Sequence, residues 1–204
     1  MPQISMEGLS RTQKFRLITG CVAPRPIALI TTLNGDGSCN AAPFSAFNYM
    51  SDDPPVIAVG FDRYGAESAG RAGEMKDTQR NIMERDSFVV NMVDEALLRA
   101  AVACGADFAA GVSEPETVGL ALSPSHGIPV PRLRDTPVAL ECRRLSITTL
   151  GPARDLMLGI VTSIYCRPGL LDEATLKIHA DQYFPVGRIG GPVYVSTRTQ
   201  IKVG

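Results

Sequence analysis

PIALITTLNGDGSCNAA, residues 26–42, is the stretch on which the fold of this chain turns. Residues 26–33 are apolar and rich in β-branched side chains. Asn34, Gly35, Asp36 and Gly37 then supply residues that tolerate positive φ, which predicts a hairpin with residues 38–42 as the returning strand. Outward from it, Pro54 and Pro55 punctuate the approach to a strand at 56–61 (VIAVGF), and 87–93 (SFVVNMV) reads as another buried strand. Residues 138–150 and 155–166 are long β-branched runs around a turn at 151–154, the pattern of a long antiparallel hairpin. Helices are expected only at 77–85 and 94–104, each opening on an aspartate able to cap backbone N–H groups. The expectation is a mainly β fold with short helices, closed as a barrel or sandwich.

The chain has 204 residues, 45% hydrophobic and 20% charged, enough for one domain over residues 1–204 with a proper core. A formal net charge of -1, with both signs mixed along the chain, gives no footprint for nucleic acid or an anionic membrane surface. No apolar run approaches the roughly 18 residues of a spanning helix, and residues 1–11 are polar where a signal peptide is apolar. No membrane partner and a cytoplasmic location are therefore expected. Cys21, Cys39, Cys104, Cys142 and Cys166 lie far apart without a CxxC pair, and read as small reduced core residues. Cys39, beside the run discussed next, is the candidate exception. The β-rich order lacks a βαβ rhythm, and no G-x-G-x-x-G follows a strand, which argues against a Rossmann domain.

Two runs carry chemistry. NAAPFSAFNYMSDDPP, 40–55, gathers small, hydroxyl, amide and aromatic side chains between two strands and suits the face of a flat, partly polar ligand. KDTQRN, 76–81, opens a helix. Unpaired N–H donors and the positive dipole end, together with a lysine, a threonine hydroxyl and an arginine, make a phosphate seat, while an ordinary capped, solvated helix explains the same residues. Asp77 opposes an anion there unless it turns away to cap the helix or orient Lys76. His126 and His179 have no metal-ligand partner at a recognisable spacing, so no metal site is assigned. No Ser/His/Asp elbow, HExxH or Walker motif occurs. The loop 62–75 is polar, Gly-rich and without period.

In order along the chain, PRPIALITT (24–32), NAAPFSAFN (40–48), DPP (53–55), KDTQRNI (76–82), FVVNMV (88–93), GVSEPE (111–116), PVALEC (137–142) and FPVGRIGG (184–191) resemble the flavin reductase-like family, which includes flavoredoxin-type proteins. The resemblance covers most of the chain. It implies an FMN-binding split β-barrel, a Greek-key antiparallel barrel, with FMN as cofactor and FAD as the alternative. It places Thr31 and Thr32 toward the ribityl chain or phosphate. Pro43, Phe44, Ser45, Ala46, Phe47 and Asn48 line the isoalloxazine, and Lys76, Thr78, Arg80 and Asn81 are phosphate ligands. Arg188 is the late arginine that contacts flavin, nicotinamide phosphate or a carboxylate across a dimer cleft, or forms a surface salt bridge. Arg25, between two prolines, is read as structural. Ser113, Glu114 and Glu116 are explained by a capped turn or line a substrate pocket.

The implied chemistry is hydride transfer from NADH or NADPH onto bound flavin, followed by electron transfer to an acceptor, in a homodimer. Because the cofactor carries the chemistry, no catalytic residue is assigned. The alternatives are a flavoredoxin-type electron carrier with tightly bound FMN reduced by a protein redox partner, and a flavin-binding protein without turnover. The loop at 62–75 departs from the family pattern, and a lid, a nicotinamide contact and a dimer arm are its candidate roles.

Overall fold

The computed structural model describes residues 3–65 and 70–203. In chain order, α1 (Arg11–Cys21), β1 (Arg25–Pro26), β2 (Ala28–Leu33), β3 (Cys39–Phe44), β4 (Phe47–Asp52) and β5 (Pro55–Asp62) come first. The middle of the chain holds α2 (Asp77–Arg85), β6 (Ser87–Met92), α3 (Leu98–Ala103), α4 (Glu114–Thr117), β7 (Leu122–Ser123) and β8 (Arg132–Leu133). Then follow β9 (Val138–Gly151), β10 (Arg154–Cys166), β11 (Leu171–Asp172), β12 (Lys177–Ile178), β13 (Val186–Gly190) and β14 (Val193–Ser196). The fold is mainly β, as expected.

Seven strands make one antiparallel sheet in the order β3-β2-β6-β9-β10-β5-β4. Its two edges, β3 and β4, are consecutive in the chain and joined by Ser45 and Ala46 alone. The sheet therefore curls until its edges approach as a split barrel, as expected, but no ladder joins them among the described residues, so the expected closure is corrected to an open edge. The reason lies in the β3 edge. Pro43 has no N–H to donate, and the Ala41 N–H, on the same edge two residues earlier, donates to the Glu114 carboxylate at 2.9 Å. On the β5 side a backbone bond one rung beyond the β4–β5 ladder, Gly60 N–H to Ala46 O at 2.7 Å, anchors the bend. Glycine at 60 allows this close approach, since a Cβ there would lie 3.0 Å from Ala46 Cβ and crowd the bend.

Alternation along β2 sorts its side chains between two cores. Ala28 and Ile30 join Phe44, Val59, Phe61, Phe88 and Met157 inside the curl, where Phe44 and Phe61 meet edge to face at 4.8 Å. Leu29 faces the other way, onto Leu97, Ala101, Cys104 and Leu133 beneath α3. Ile82 of α2 enters the inner core, so α2 plugs one end of the curl.

The predicted hairpins stand, with edges moved by a residue or two. The helix expected at 94–104 contracts to Leu98–Ala103: Asp94 Oδ1 does accept from a backbone N–H, Leu97 at 3.1 Å, but only within the preceding turn. β4, the separate β1-β13-β14 sheet and α1 were not anticipated. α1 carried a signal: Ser10 and Gln13 form a capping box, with Gln13 N–H to Ser10 Oγ at 3.3 Å and Ser10 N–H to Gln13 Oε1 at 2.9 Å. Cys39, Cys104 and Cys142 are buried as expected. Cys166 is half-buried, and Cys21, exposed on α1, is not a core residue.

Candidate functional site

α2 forms because its polar run leaves one inward apolar position, Ile82, and because Asp86, at φ +62°, ends it in the left-handed region. Its start is unusual. Lys76 is the N-cap residue, and no side chain among the described residues accepts from the first-turn N–H groups. Asp77 does not cap, contrary to expectation. Its carboxylate turns to the 62–75 loop, accepting from Arg71 at 2.7 and 3.2 Å, from the Tyr64 hydroxyl at 3.0 Å, and from Arg80. Burial acts to raise the Asp77 pKa, but the bonds from Arg71, Tyr64 and Arg80 outweigh it and hold the carboxyl below its ordinary value. Burial, with the bond to Asp77, pushes the Tyr64 hydroxyl up to about 12. Arg71 stacks on the Tyr64 ring at 3.9 Å and Lys76 Nζ lies 5.7 Å from the same ring centre. Lys76 itself has no acidic partner among the described residues. The result is a helix N-terminus with open donors beside a half-buried lysine, an arrangement chemically suited to an anion.

Beneath this seat lies a buried amide–hydroxyl network. Asn40 Nδ2 donates to Thr32 Oγ1 at 3.1 Å and Thr78 Oγ1 at 3.0 Å; Asn81 Nδ2 donates to Thr32 Oγ1 at 3.0 Å and Asn34 Oδ1 at 2.9 Å. Thr31 Oγ1 donates to Pro131 O at 2.7 Å on the opposite face of β2. Thr31, Thr32, Thr78 and Asn81 are each 2% exposed or less. The structure thus brings Thr32, Thr78 and Asn81 together under α2 as supports for the seat, and separates Thr31 from them. Of the four expected phosphate residues, only Lys76 and Arg80 present solvent-facing side chains.

The run 43–48 splits in the same way. Phe44 is a core residue against Phe61, and Pro43 packs outward near Gly105. Ser45 and Phe47 are half-buried, Ala46 and Asn48 are exposed, and Asn48 Oδ1 accepts the Tyr49 N–H at 2.9 Å. Four side chains, Ser45 to Asn48, are therefore placed at the open bend between the sheet edges. Asn40, bonded to Thr78, and Ser45 stand at opposite ends of β3, roughly 17 Å apart at a strand's rise per residue. Arg188 belongs to neither group. It sits on β13 opposite Arg25 of β1, in the separate sheet.

The loop 62–75, expected from sequence to act through Arg63, Tyr64 and Arg71 but given no catalytic residues, uses Tyr64 and Arg71 to hold Asp77; residues 66–69 lie outside the described residues. Around 63–75 the chain pairs back on itself, with an Arg63–Met75 bridge and Tyr64 N–H to Glu74 O at 3.0 Å. Ser113 makes no side-chain cap, correcting the capped-turn reading; with Glu116, Leu33, Cys39 and Leu120 it lines an open groove of about 460 Å³. Burial chiefly raises the Glu114 pKa, and burial with Glu114 and Cys104 nearby pushes the Cys39 thiol up to about 12, unsuited to a nucleophile. His126 serves through its backbone N–H, which donates to Glu141 at 2.6 Å. Among the described residues no three His, Cys, Asp or Glu side chains gather to hold a metal, and no helix is long and apolar enough to cross a membrane.

Comparison with known proteins bears on this geometry. The family described as flavin reductase like domain matches residues 20–187. The chain is similar to the crystal structure of 2-nitrobenzoate 2-nitroreductase from Pseudomonas fluorescens, at 45% identity and a TM-score of 0.90, covering 100% of this chain and 95% of that one. It is similar to nitrilotriacetate monooxygenase component B from Bacillus cereus, at 31% identity and a TM-score of 0.91, covering 100% and 98%. Flavoredoxin of Desulfovibrio vulgaris (Miyazaki F), at 18% identity and a TM-score of 0.70 over 99% and 97%, shares the fold.

Proposed function

Because the chain belongs to the flavin reductase-like family, we propose that it is an FMN-dependent oxidoreductase, one unit over residues 1–204, reduced by NADH or NADPH and passing electrons to a second substrate. The observation that carries this reading is the α2 start, where among the described residues the first-turn N–H groups have no side-chain acceptor and Lys76 beside them has no acidic partner. Lys76 and Arg80 hold the phosphate. Thr32, Thr78 and Asn81 fix the helix on β2 and β3 from below, and Thr31 ties β2 to the 131 segment. β3 then spans the distance to the bend, where Ser45 and Asn48 offer polar atoms to the ring edge and Ala46 and Phe47 form its apolar border, while Pro43 faces away toward Gly105. Phe44 acts from the core by holding the bend against Phe61. When bound, FMN supplies hydride acceptance and electron transfer; the chain supplies orientation and an open face. FAD fits the same seat if its adenylate extends outward.

A homodimer suits the exposed apolar side chains of α1 and β4, Phe15, Ile18, Tyr49 and Met50, which a second copy would cover. Five unpaired cysteines suit a reducing cytoplasm. The 45% likeness to a 2-nitrobenzoate nitroreductase favours a specific second substrate, a nitroaromatic acid. There a hydride and a proton convert the nitro group to nitroso with release of water.

The test is an anaerobic visible spectrum with added FMN, before and after NADH and then NADPH. Bleaching far faster than that of unbound FMN supports the reading and identifies the donor. Bound flavin reduced by dithionite but by neither nucleotide would replace it with an electron carrier. No spectral change on adding FMN would overturn it.

A further inference from the structure

Arg25 and Arg188 are direct partners in the antiparallel pairing of β1 with β13, and Arg188 is in turn opposite Tyr194 on β14. Directly opposed residues project from one face of a sheet, so two guanidinium groups and a phenol ring form a single row across three strands. Opposed like charges repel. Even so, neither arginine has a carboxylate within salt-bridge distance among the described residues.

Their hydrogen bonds go to carbonyls only. One terminal nitrogen of Arg25 donates to Thr19 O, to Val22 O at 2.6 Å and to Ile189 O at 3.3 Å, closing the end of α1. Arg188 Nε and one terminal nitrogen donate to Gly191 O at 3.2 and 3.1 Å. These carbonyls hold both planes in place and leave Arg25 Nε, its second terminal nitrogen and the remaining terminal nitrogen of Arg188 without a protein acceptor among the described residues. Both residues are half-buried, ordered by the sheet yet open to solvent. Partial burial, and then the neighbouring Arg188, lower the Arg25 pKa, as expected where two cations lack an anion. Arg188 Cζ is 5.8 Å from the Tyr194 ring centre.

We propose that the Arg25–Arg188–Tyr194 row is a subsite for a small aromatic carboxylate, the acid group bound by the two arginines and the aryl group lying beside Tyr194. A fixed guanidinium matches a planar carboxylate with parallel N–H bonds, which a lysine cannot do. That the acid is the second substrate rests on the flavin-dependent reading above; that it binds here does not.

The experiment is a calorimetric titration of the full-length protein with benzoate, with and without added FMN, with benzamide as the neutral control and inorganic phosphate as competitor. Saturable benzoate binding, none by benzamide, and weakening of at least tenfold in Arg188→Gln are expected, with Arg188→Lys between. Near-UV circular dichroism establishes that each variant is folded. If Arg188→Gln does not fold, the lysine variant decides, and it must weaken benzoate at least threefold. Equal binding of benzamide, unchanged affinity in the folded variants, or tighter binding of phosphate than of benzoate would each overturn the proposal. Arginine-dependent benzoate binding in a protein that takes up no FMN would uphold the subsite while removing the flavin reading.

Discussion

Replacing Lys76 with alanine tests the phosphate seat most directly. The ammonium group is half-buried at the α2 N-cap and has no acidic partner among the described residues, so its removal leaves no protein charge unpaired there. The loss therefore falls on the ligand. A hydrogen bond to a charged group contributes about 1.5–3 kcal/mol, and partial exposure puts Lys76 in the lower half of that range. At about 1.4 kcal/mol per factor of ten, the FMN dissociation constant should rise roughly 10- to 40-fold. The open first-turn N–H groups and the helix dipole survive the change, which is why binding is weakened and not abolished. Fluorescence titration with FMN measures the shift, and riboflavin, which lacks the phosphate, is the control: its affinity should be the same in both proteins. Raising salt from about 0.05 to 0.5 M should weaken FMN binding more in the wild type, where one more charge is screened. A change below threefold, or an equal loss for riboflavin, would refute a phosphate at Lys76.

Ser45→Trp, at the bend, should lower FMN affinity at least tenfold or alter the flavin spectrum, and an unaltered spectrum and affinity would remove the 43–48 segment from the site. Gly159→Ala places a Cβ 2.6 Å from Phe88 Cζ in the inner core, so it should cost about 1–3 kcal/mol of stability, read as a lowered thermal midpoint. Asp77 has a lowered folded pKa, so the stability it contributes is present above its unfolded pKa, near 3.9, and is lost as pH falls through the lower folded value. Melting curves at falling pH should show the wild type losing stability more steeply than Asp77→Asn below about pH 4. Glu114 has the opposite sign: burial raises its pKa, so its stabilisation is full below its unfolded pKa, near 4.3, and is lost as pH rises through the folded value. Glu114→Gln keeps an acceptor for the Ala41 N–H and should flatten that loss, which thermal melts from about pH 4 upward would reveal.

The strands were legible where a local pattern sufficed. The β2–β3 hairpin follows from β-branched alternation and a turn of Asn, Gly and Asp, and the β9–β10 hairpin from two long runs around residues 151–154. β4 was missed because Phe47 to Asp52 is largely exposed, so burial left no apolar alternation to read. The two-residue β1 becomes a strand only by pairing with β13 some 160 positions on, and β13 and β14 form a hairpin too short and too exposed to show an apolar run. α1 buries no residue and offered only its capping box. In the candidate site, the residue types at 76–81 marked α2 as a candidate anion seat, but which of those side chains face outward depends on how α2 lies on β2 and β3.

The sequence by itself determined the β-rich class, the main hairpins, the extent of α2 and the two chemistry-bearing runs, because these depend on neighbours a few residues apart. Only the tertiary structure decided that Thr32, Thr78 and Asn81 face inward, that Asp77 pairs with Arg71 instead of capping, and that Arg25 meets Arg188. Each of those outcomes is a competition between partners distant in the chain, and it is resolved by which elements the two cores press together.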